Sequence, residues 1–391
     1  MQRWLILIAL TLARISMGVQ FQSVAALSPR LTSEAGLGFA AIGTLMGIYL
    51  LPGAVAALFG GWAGQKIGDI RTALFGLALM ALGGIAGALL AGFEAQLAAR
   101  LVAGIGAVAL NVMLTKMAGD WFQGRSDLPV AMGVLSSSWP AGLAVAMLVL
   151  PWLGGAYALQ TLLMLPAALC AVTFVLLAVV WRSPFSGAQA NGPSPRILGA
   201  ELGLVAFSGL IWGLYNVAFI GIISWSAGRL EANGADAISA AASGSLIGWA
   251  AILSVAAGGW LARSLRRPDG AALGCFAVSA VAATVFALGG PVTSSTVFLL
   301  ALGIIIGPAA AMIMTLPVEA TRAETRAMGM GVHWAMYYVL MGIGPGLMGV
   351  LREITGSPTA PLLVAAGLMT LCLLLWPVFR WLQARLASQR V

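Results

Sequence analysis

The chain has 391 residues, of which 61% are hydrophobic and 8% are charged, with a formal net charge of +8. This composition excludes a soluble globular domain, and the positive charge does not indicate a nucleic-acid partner because the basic residues are spread over short loops. The three cysteines lie in apolar runs and the single histidine has no ligand neighbours, so no disulfide framework, metal site or cofactor is expected.

The first apolar run, residues 4–28, is long enough to cross a bilayer, and we interpret it as a retained membrane span rather than a cleaved signal peptide. Arg14 lies near the middle of this run, where a charge costs on the order of 3 kcal/mol. All twelve carboxylates of the chain lie at the ends of apolar segments or between them. A buried cation without a protein anion predicts that an anion reaches Arg14 from outside.

Further apolar runs continue to the C-terminus, and all of them must be helical because lipid offers no partner for backbone amides. Together they predict twelve spans, at residues 4–28, 39–63, 72–93, 97–118, 130–153, 157–181, 198–227, 237–262, 270–290, 293–316, 327–351 and 358–382. The predicted fold class is an all-α membrane protein.

Residues 182–197 are rich in Pro, Gly, Ser and Asn, which is typical of a flexible linker. They separate an N-terminal six-helix half, residues 1–181, from a C-terminal six-helix half, residues 198–391. A Gly-Gly-Trp sequence at residues 60–62 recurs at residues 258–260, which supports two pseudo-symmetric halves.

The basic residues predict the orientation of the chain. Fifteen of the twenty lysines and arginines fall on the side that holds both termini, one is Arg14, and the opposite side holds only Arg30, Arg100, Arg229 and Arg352. Since cytoplasmic loops carry the excess of basic residues, we expect both termini and the linker to be cytoplasmic.

Residues 61–71, with the sequence GWAGQKIGDIR, resemble the signature loop between helices two and three of the major facilitator superfamily of membrane transporters. Residues 100–106, RLVAGIG, resemble the signature that opens helix four of that family. In the family the loop latches one conformation through charge contacts, although Gln65 stands here where an Asp is usual. The resemblance implies a latch formed by Gly61, Gln65, Lys66, Gly68, Arg71 and Arg100.

The segment from residue 316 to residue 346 most resembles bacterial permeases for cyanate and other small anions. The chain lacks the pair of membrane-embedded arginines, in helices two and eight, that nitrate and nitrite carriers of the superfamily show.

The resemblance also implies that helices 1, 4, 7 and 10 line a central cavity, with the substrate bound near mid-depth. On span one, four candidates, Arg14, Gly18, Phe21 and Gln22, lie within an arc of ~100° at 100° per residue. The planar fork of Arg14 suits a carboxylate. The predicted substrate-binding residues are Arg14, Gly18, Phe21, Gln22, Asn111, Trp212, Tyr215 and Asn216.

Structural interpretations of these residues stay open at this stage. Arg14 can cap a backbone carbonyl, Trp212 and Tyr215 can simply pack, and Asn111 can make a helix-to-helix hydrogen bond. In span eleven, His333 and Tyr337 lie one turn apart. They are candidates for proton coupling because histidine alone titrates near neutrality when unperturbed, although a neutral, hydrogen-bonded histidine explains the position as well.

These observations predict a secondary active transporter of a small organic or inorganic anion, working by rocker-switch alternating access. We expect a monomer in the lipid bilayer of a bacterial-type inner membrane, and no enzyme activity. One alternative is proton-driven efflux of amphipathic compounds, although such pumps typically need a membrane-embedded carboxylate. The other is a transporter-like protein with an assembly or sensing role, which would carry no solute.

Overall fold

The computed structural model describes residues 2–57, 68–90, 92–123, 125–182, 199–264, 268–322 and 325–388. Three of the predicted latch residues, Gly61, Gln65 and Lys66, lie outside the described residues, as does almost all of the predicted linker.

Within the described residues, twelve helices are long and apolar enough to cross a membrane, which confirms the predicted all-helical membrane fold. Their bounds are α1 Gln2–Ala26, α2 Phe39–Ala57, α3 Asp69–Leu89, α4 Phe93–Phe122, α5 Val130–Leu153, α6 Leu159–Val180, α7 Gly199–Ala232, α8 Ala237–Gly258, α9 Asp269–Leu288, α10 Thr296–Ala320, α11 Met328–Thr355 and α12 Ala360–Leu386. A short helix, Ser28–Ala35, joins α1 to α2.

Several helices extend beyond the apolar stretches that predicted them. Helix α4 begins before and ends after the predicted residues 97–118, so that it includes Glu94 and Asp120. The backbone ladder continues into the polar interface, where charged side chains cost little, so hydropathy marks the apolar core of a helix rather than its ends.

A local hydrogen-bonding signal sets the start of α8. The Asp236 carboxylate accepts hydrogen bonds from the backbone N–H groups of Ile238 and Ser239, at 3.1 and 3.0 Å. Hydrogen bonding, led by Ser239, holds the pKa of Asp236 below its usual value. A carboxylate at this position satisfies amides that the first turn of a helix leaves without partners.

The chain crosses the bundle an even number of times, so both ends of the described chain lie at one end of the molecule, which we call the terminal end. The opposite end is called the remote end. We call helices α1–α6 the first group and α7–α12 the second; helices of the two groups meet along α2 with α11, along α5 with α8, and where α1 approaches α7. The space left between these contacts, at the centre of the molecule, holds the candidate site.

Candidate functional site

A central cavity of ≈ 500 Å³ lies between the two groups of helices. Its lining comes from α1, α2, α4 and α5 on one side and from α7, α8, α10 and α11 on the other. The side chains with polar or aromatic groups in this lining are Arg14, Asn111, Thr115, Ser136, Trp139, Trp212, Tyr215, Asn216, Phe219, Trp334, Tyr337 and Tyr338.

Arg14 is the only side chain with a full charge among the described residues that line the cavity. Its Nη1 donates to the carbonyl oxygen of Leu135 in α5, at 3.3 Å, and its buried Nε has no hydrogen-bond partner. Among the described residues, no carboxylate lies within 4.0 Å of the guanidinium. One carbonyl therefore orients this cation but does not neutralise it.

Aromatic side chains of α7 and α11 cover the second side of the cavity. The Trp212 ring stacks on Tyr215, with centroids 5.6 Å apart, and on Tyr337, at 6.1 Å. Trp334 meets Trp212 and Tyr337 edge to face, at 6.3 and 5.2 Å. We call Trp212, Tyr215, Trp334 and Tyr337 the aromatic wall.

Among the described residues of the lining, most of the buried polar atoms that lack a partner are donors. The indole N–H groups of Trp139 and Trp212 are buried without partners, and indole can only donate. Asn111 donates from Nδ2 to the Tyr338 hydroxyl, at 3.1 Å, while its Oδ1 is unpartnered. Asn216 donates to the carbonyl of Trp212, at 2.8 Å. A buried donor left without a partner costs about 1–3 kcal/mol, so this lining is complementary to a ligand rich in acceptor oxygens.

The remote end of the cavity is closed by contacts between the two groups. The Arg352 guanidinium lies 4.1 Å from the centroid of the Phe39 ring and 5.3 Å from that of Trp225. Glu353 accepts the backbone N–H of Ala40, at 2.9 Å, at the first turn of α2. We call Phe39, Trp225, Arg352 and Glu353 the remote gate.

Behind this gate, α2 and α11 touch backbone to backbone. A Cβ atom added at Gly43 would overlap the carbonyl of Pro345, and one at Gly47 would overlap the carbonyl of Gly342. Glycine at both positions permits the close approach, as small residues do at membrane helix interfaces.

The lining extends to the terminal end of the bundle. It includes Met132 in the first turn of α5, Ala256 in the last turn of α8 and Met314 in the second half of α10, and Thr115 and Ser136 are exposed. The cavity is therefore closed at the remote end and reaches from mid-depth to the terminal end.

Five of the eight predicted binding residues line this cavity: Arg14, Asn111, Trp212, Tyr215 and Asn216. The other three, Gly18, Phe21 and Gln22, do not line the cavity in this conformation. Gly18 packs on Gly142 of α5, and Gln22 donates to Ser224 of α7, at 3.1 Å. Arg14, Gly18 and Gln22 lie on one face of α1, as the sequence predicts. Towards the remote end, this face packs against α5 and α7 and does not line the cavity.

Phe21 is fully buried between the rings of Tyr49, at 5.9 Å, and Trp139, at 5.3 Å. Phe21 therefore packs behind Trp139, which is a residue of the cavity lining.

The two proton-coupling candidates are separated by the structure. Tyr337 lines the cavity, whereas His333 is fully buried away from it. The Nδ1 of His333 lies 2.9 Å from Ser208 Oγ, and its Nε2 has no partner. In this conformation the two candidates do not share one site, because one helical turn of α11 faces α7 at His333 and faces the cavity at Tyr337.

The described residues of the predicted latch also divide between the two ends. Gly68, with φ +94°, and the exposed Arg71 begin α3 at the terminal end. Arg100 lies near the remote end of α4, where it donates to the Gln20 carbonyl, at 2.5 Å, and to Ser23, at 2.8 Å. Arg100 therefore does not join the latch, because α3 and α4 are antiparallel.

A terminal-end ion pair that the sequence did not predict links α3 to α4. Lys116, near the terminal end of α4, pairs with Asp69 of α3 and with Asp120, the latter at 3.1 Å. Trp139 of α5 and the aromatic pair Trp334 and Tyr338 of α11 were also missed as lining residues. Their only signal was an aromatic side chain on a span outside the four expected to line the cavity.

The chain matches one family model over most of its length and two curated proteins over parts of theirs. The family model of the Major Facilitator Superfamily matches residues 6–345. The cyanate transport protein CynX of Escherichia coli strain K12 is 26% identical over 147 residues, which is 38% of each chain. Azole resistance protein 1 of Saccharomyces cerevisiae is 28% identical over 151 residues, 39% of this chain and 24% of that protein. The matched segments thus span well under half of these relatives.

Solved structures show similarity over the whole chain. The nucleoside transporter NupG has a TM-score of 0.76 at 15% identity, covering 96% of this chain and 99% of NupG. A bacterial homolog of the human lysosomal transporter Spinster, in an inward-facing and unoccupied conformation, has a TM-score of 0.72 at 17% identity, covering 98% and 96%.

Proposed function

This chain belongs to the major facilitator superfamily, whose members are transporters, and we propose that it carries a small anion across the membrane by rocker-switch alternating access. The observation that carries the proposal is the isolated charge of Arg14. It lies in the central cavity without a carboxylate partner among the described residues. An anion that neutralises Arg14 removes the cost of holding an unpaired cation away from water.

The geometry of the cavity supports an alternating-access cycle. The remote gate and the close approach of α2 to α11 seal one end, and the lining reaches the other. The basic residues indicate that both termini lie on the cytoplasmic side of an inner membrane. In that orientation, the cavity is open to the cytoplasm. Opening to the outside would require the two helix groups to separate at the remote gate and to approach each other at the terminal end.

Anion transport is favoured over proton-driven efflux of amphipathic compounds. The similarity to the cyanate transport protein agrees with the first activity and that to the azole resistance protein with the second. The lining supports anion transport, since among its described residues it offers a guanidinium and unpartnered N–H donors but no Asp or Glu to exchange a proton with a cationic drug.

The test is counterflow in proteoliposomes that contain the purified protein. Vesicles loaded with one unlabelled anion from a panel that includes cyanate, acetate and benzoate should accumulate the same labelled anion faster than protein-free vesicles. Failure of every anion, together with pH-gradient-driven movement of a lipophilic cation, would support efflux instead. No movement of either class would support a role without transport.

A further inference from the structure

The size of the cavity argues against an inorganic ion as its main occupant. Its volume is ≈ 500 Å³, within the range of pockets that take organic ligands. A water molecule takes a share of about 30 Å³ in the liquid, and a triatomic anion is only slightly larger. Such an ion on Arg14 would leave most of the cavity to solvent.

The shape and chemistry of the aromatic wall narrow the choice further. The ring planes of Trp212 and Tyr215 are nearly parallel, with an angle of 16° between them, and Tyr337 stacks on Trp212 at 29°. Trp212 and Tyr337 both line the cavity. Flat aromatic faces prefer another ring in offset or edge-to-face contact over an aliphatic group of equal area.

Two unpartnered N–H donors add a polar requirement beside this wall. The indole groups of Trp139 in α5 and Trp212 in α7 are buried without an acceptor. Neither group can accept a hydrogen bond, so only an acceptor on the ligand, or water, satisfies them.

We propose that the substrate is an aromatic monocarboxylate. This inference rests on the anion transport proposed above and names the substrate class of the same site. The carboxylate binds the Arg14 guanidinium, the ring lies on Trp212 and Tyr337, and an oxygen on the ring accepts from an indole N–H. Each of the three parts of such a ligand has a matching group in the lining, whereas a short aliphatic acid matches only the first.

The test measures binding to the purified protein for five probes: benzoate, 4-hydroxybenzoate, cyclohexanecarboxylate, acetate and cyanate. We expect benzoate to bind about tenfold more tightly than cyclohexanecarboxylate, the gain that ring stacking brings, and more tightly still than acetate or cyanate. The Trp212→Leu variant should bring the affinity for benzoate close to that for cyclohexanecarboxylate, because it removes one ring of the aromatic wall. Trp152→Leu is the matched control, since Trp152 is 66% exposed on α5.

A milder variant keeps the test informative if Trp212→Leu does not fold. Trp212→Phe retains a ring but deletes the N–H. Benzoate should still bind, and the affinity for 4-hydroxybenzoate relative to that for benzoate should fall. Wild-type protein that binds acetate or cyanate as tightly as benzoate overturns the substrate class and leaves anion transport standing. Wild-type protein that neither binds nor exchanges any of the five anions overturns both.

Discussion

Removal of the Arg14 charge is the most direct perturbation of this site. In Arg14→Ala a bound carboxylate would lose its charge-assisted hydrogen bonds, which contribute about 1.5–3 kcal/mol each. The Nη1 of Arg14 is partly engaged by the Leu135 carbonyl and its Nε is free. Loss of one such bond, about 1.5–3 kcal/mol, corresponds to roughly a 10- to 150-fold weaker anion affinity, and loss of a second bond weakens it further.

The Arg14→Lys variant separates charge from geometry. Lysine keeps the positive charge but not the planar fork, so we expect an intermediate loss of about tenfold. The assay is anion titration of detergent-solubilised protein followed by counterflow in proteoliposomes. Arg125→Ala is the control, because it removes the same charge from an exposed loop position.

Thermal unfolding of the same variants, without anion, checks the premise that Arg14 is not neutralised in the resting protein. Arg14→Ala should unfold at the same or a higher temperature than the wild type, because it deletes a buried cation without a carboxylate partner. Unchanged anion affinity and counterflow in Arg14→Ala would refute the assignment of Arg14 as the anion clamp. A large drop in unfolding temperature would show that Arg14 is mainly structural.

Three further outcomes follow from the same structure. The His333→Gln variant should retain anion-for-anion exchange, since His333 is buried away from the cavity; complete loss of exchange would place it in the transport path. Anion-for-anion exchange should be faster than net anion uptake, because the empty carrier must move an uncompensated positive charge. For the same reason, net uptake should respond to an imposed membrane potential. Equal rates of exchange and net uptake, with neither potential nor pH gradient affecting them, would contradict this expectation. The Arg352→Ala variant should weaken the remote gate and increase labelling, from the outside in intact cells, of a cysteine introduced at Phe219 in the cavity lining, with Arg30→Ala as the control; unchanged labelling would show that the ring contacts do not hold the gate.

The sequence was sufficient for the spans and for the isolated charge, because both follow from local hydropathy. It also indicated three of the lining residues of α7, since Trp212, Tyr215 and Asn216 repeat at helical spacing. Helical spacing identifies a face of a helix, but it does not identify the neighbour that the face meets at each depth. For this reason Arg14 lines the cavity while Gln22, two turns further along the same stripe, is buried against Ser224.

Long-range pairs were beyond the reach of the sequence for a related reason. Lys116 and Asp69 are 47 residues apart, and nothing in the local pattern of either helix indicates that antiparallel packing brings them together. The same packing separates Arg100 from the start of α3. The lining contributed by α5 was missed because the resemblance directed attention to four helices, whereas Trp139 and Ser136 of α5 also line the cavity.

The glycine contact between α2 and α11 affects the relative populations of two conformations of the carrier, one closed and one open at the remote end. The contact exists only when the remote end is shut, so a methyl group at Gly47 would penalise that orientation and leave the other untouched. A difference of about 1.4 kcal/mol between two states changes their ratio tenfold. A single alanine at Gly47 would then shift the population towards carriers that are open at the remote end and accept ligands and inhibitors from that side.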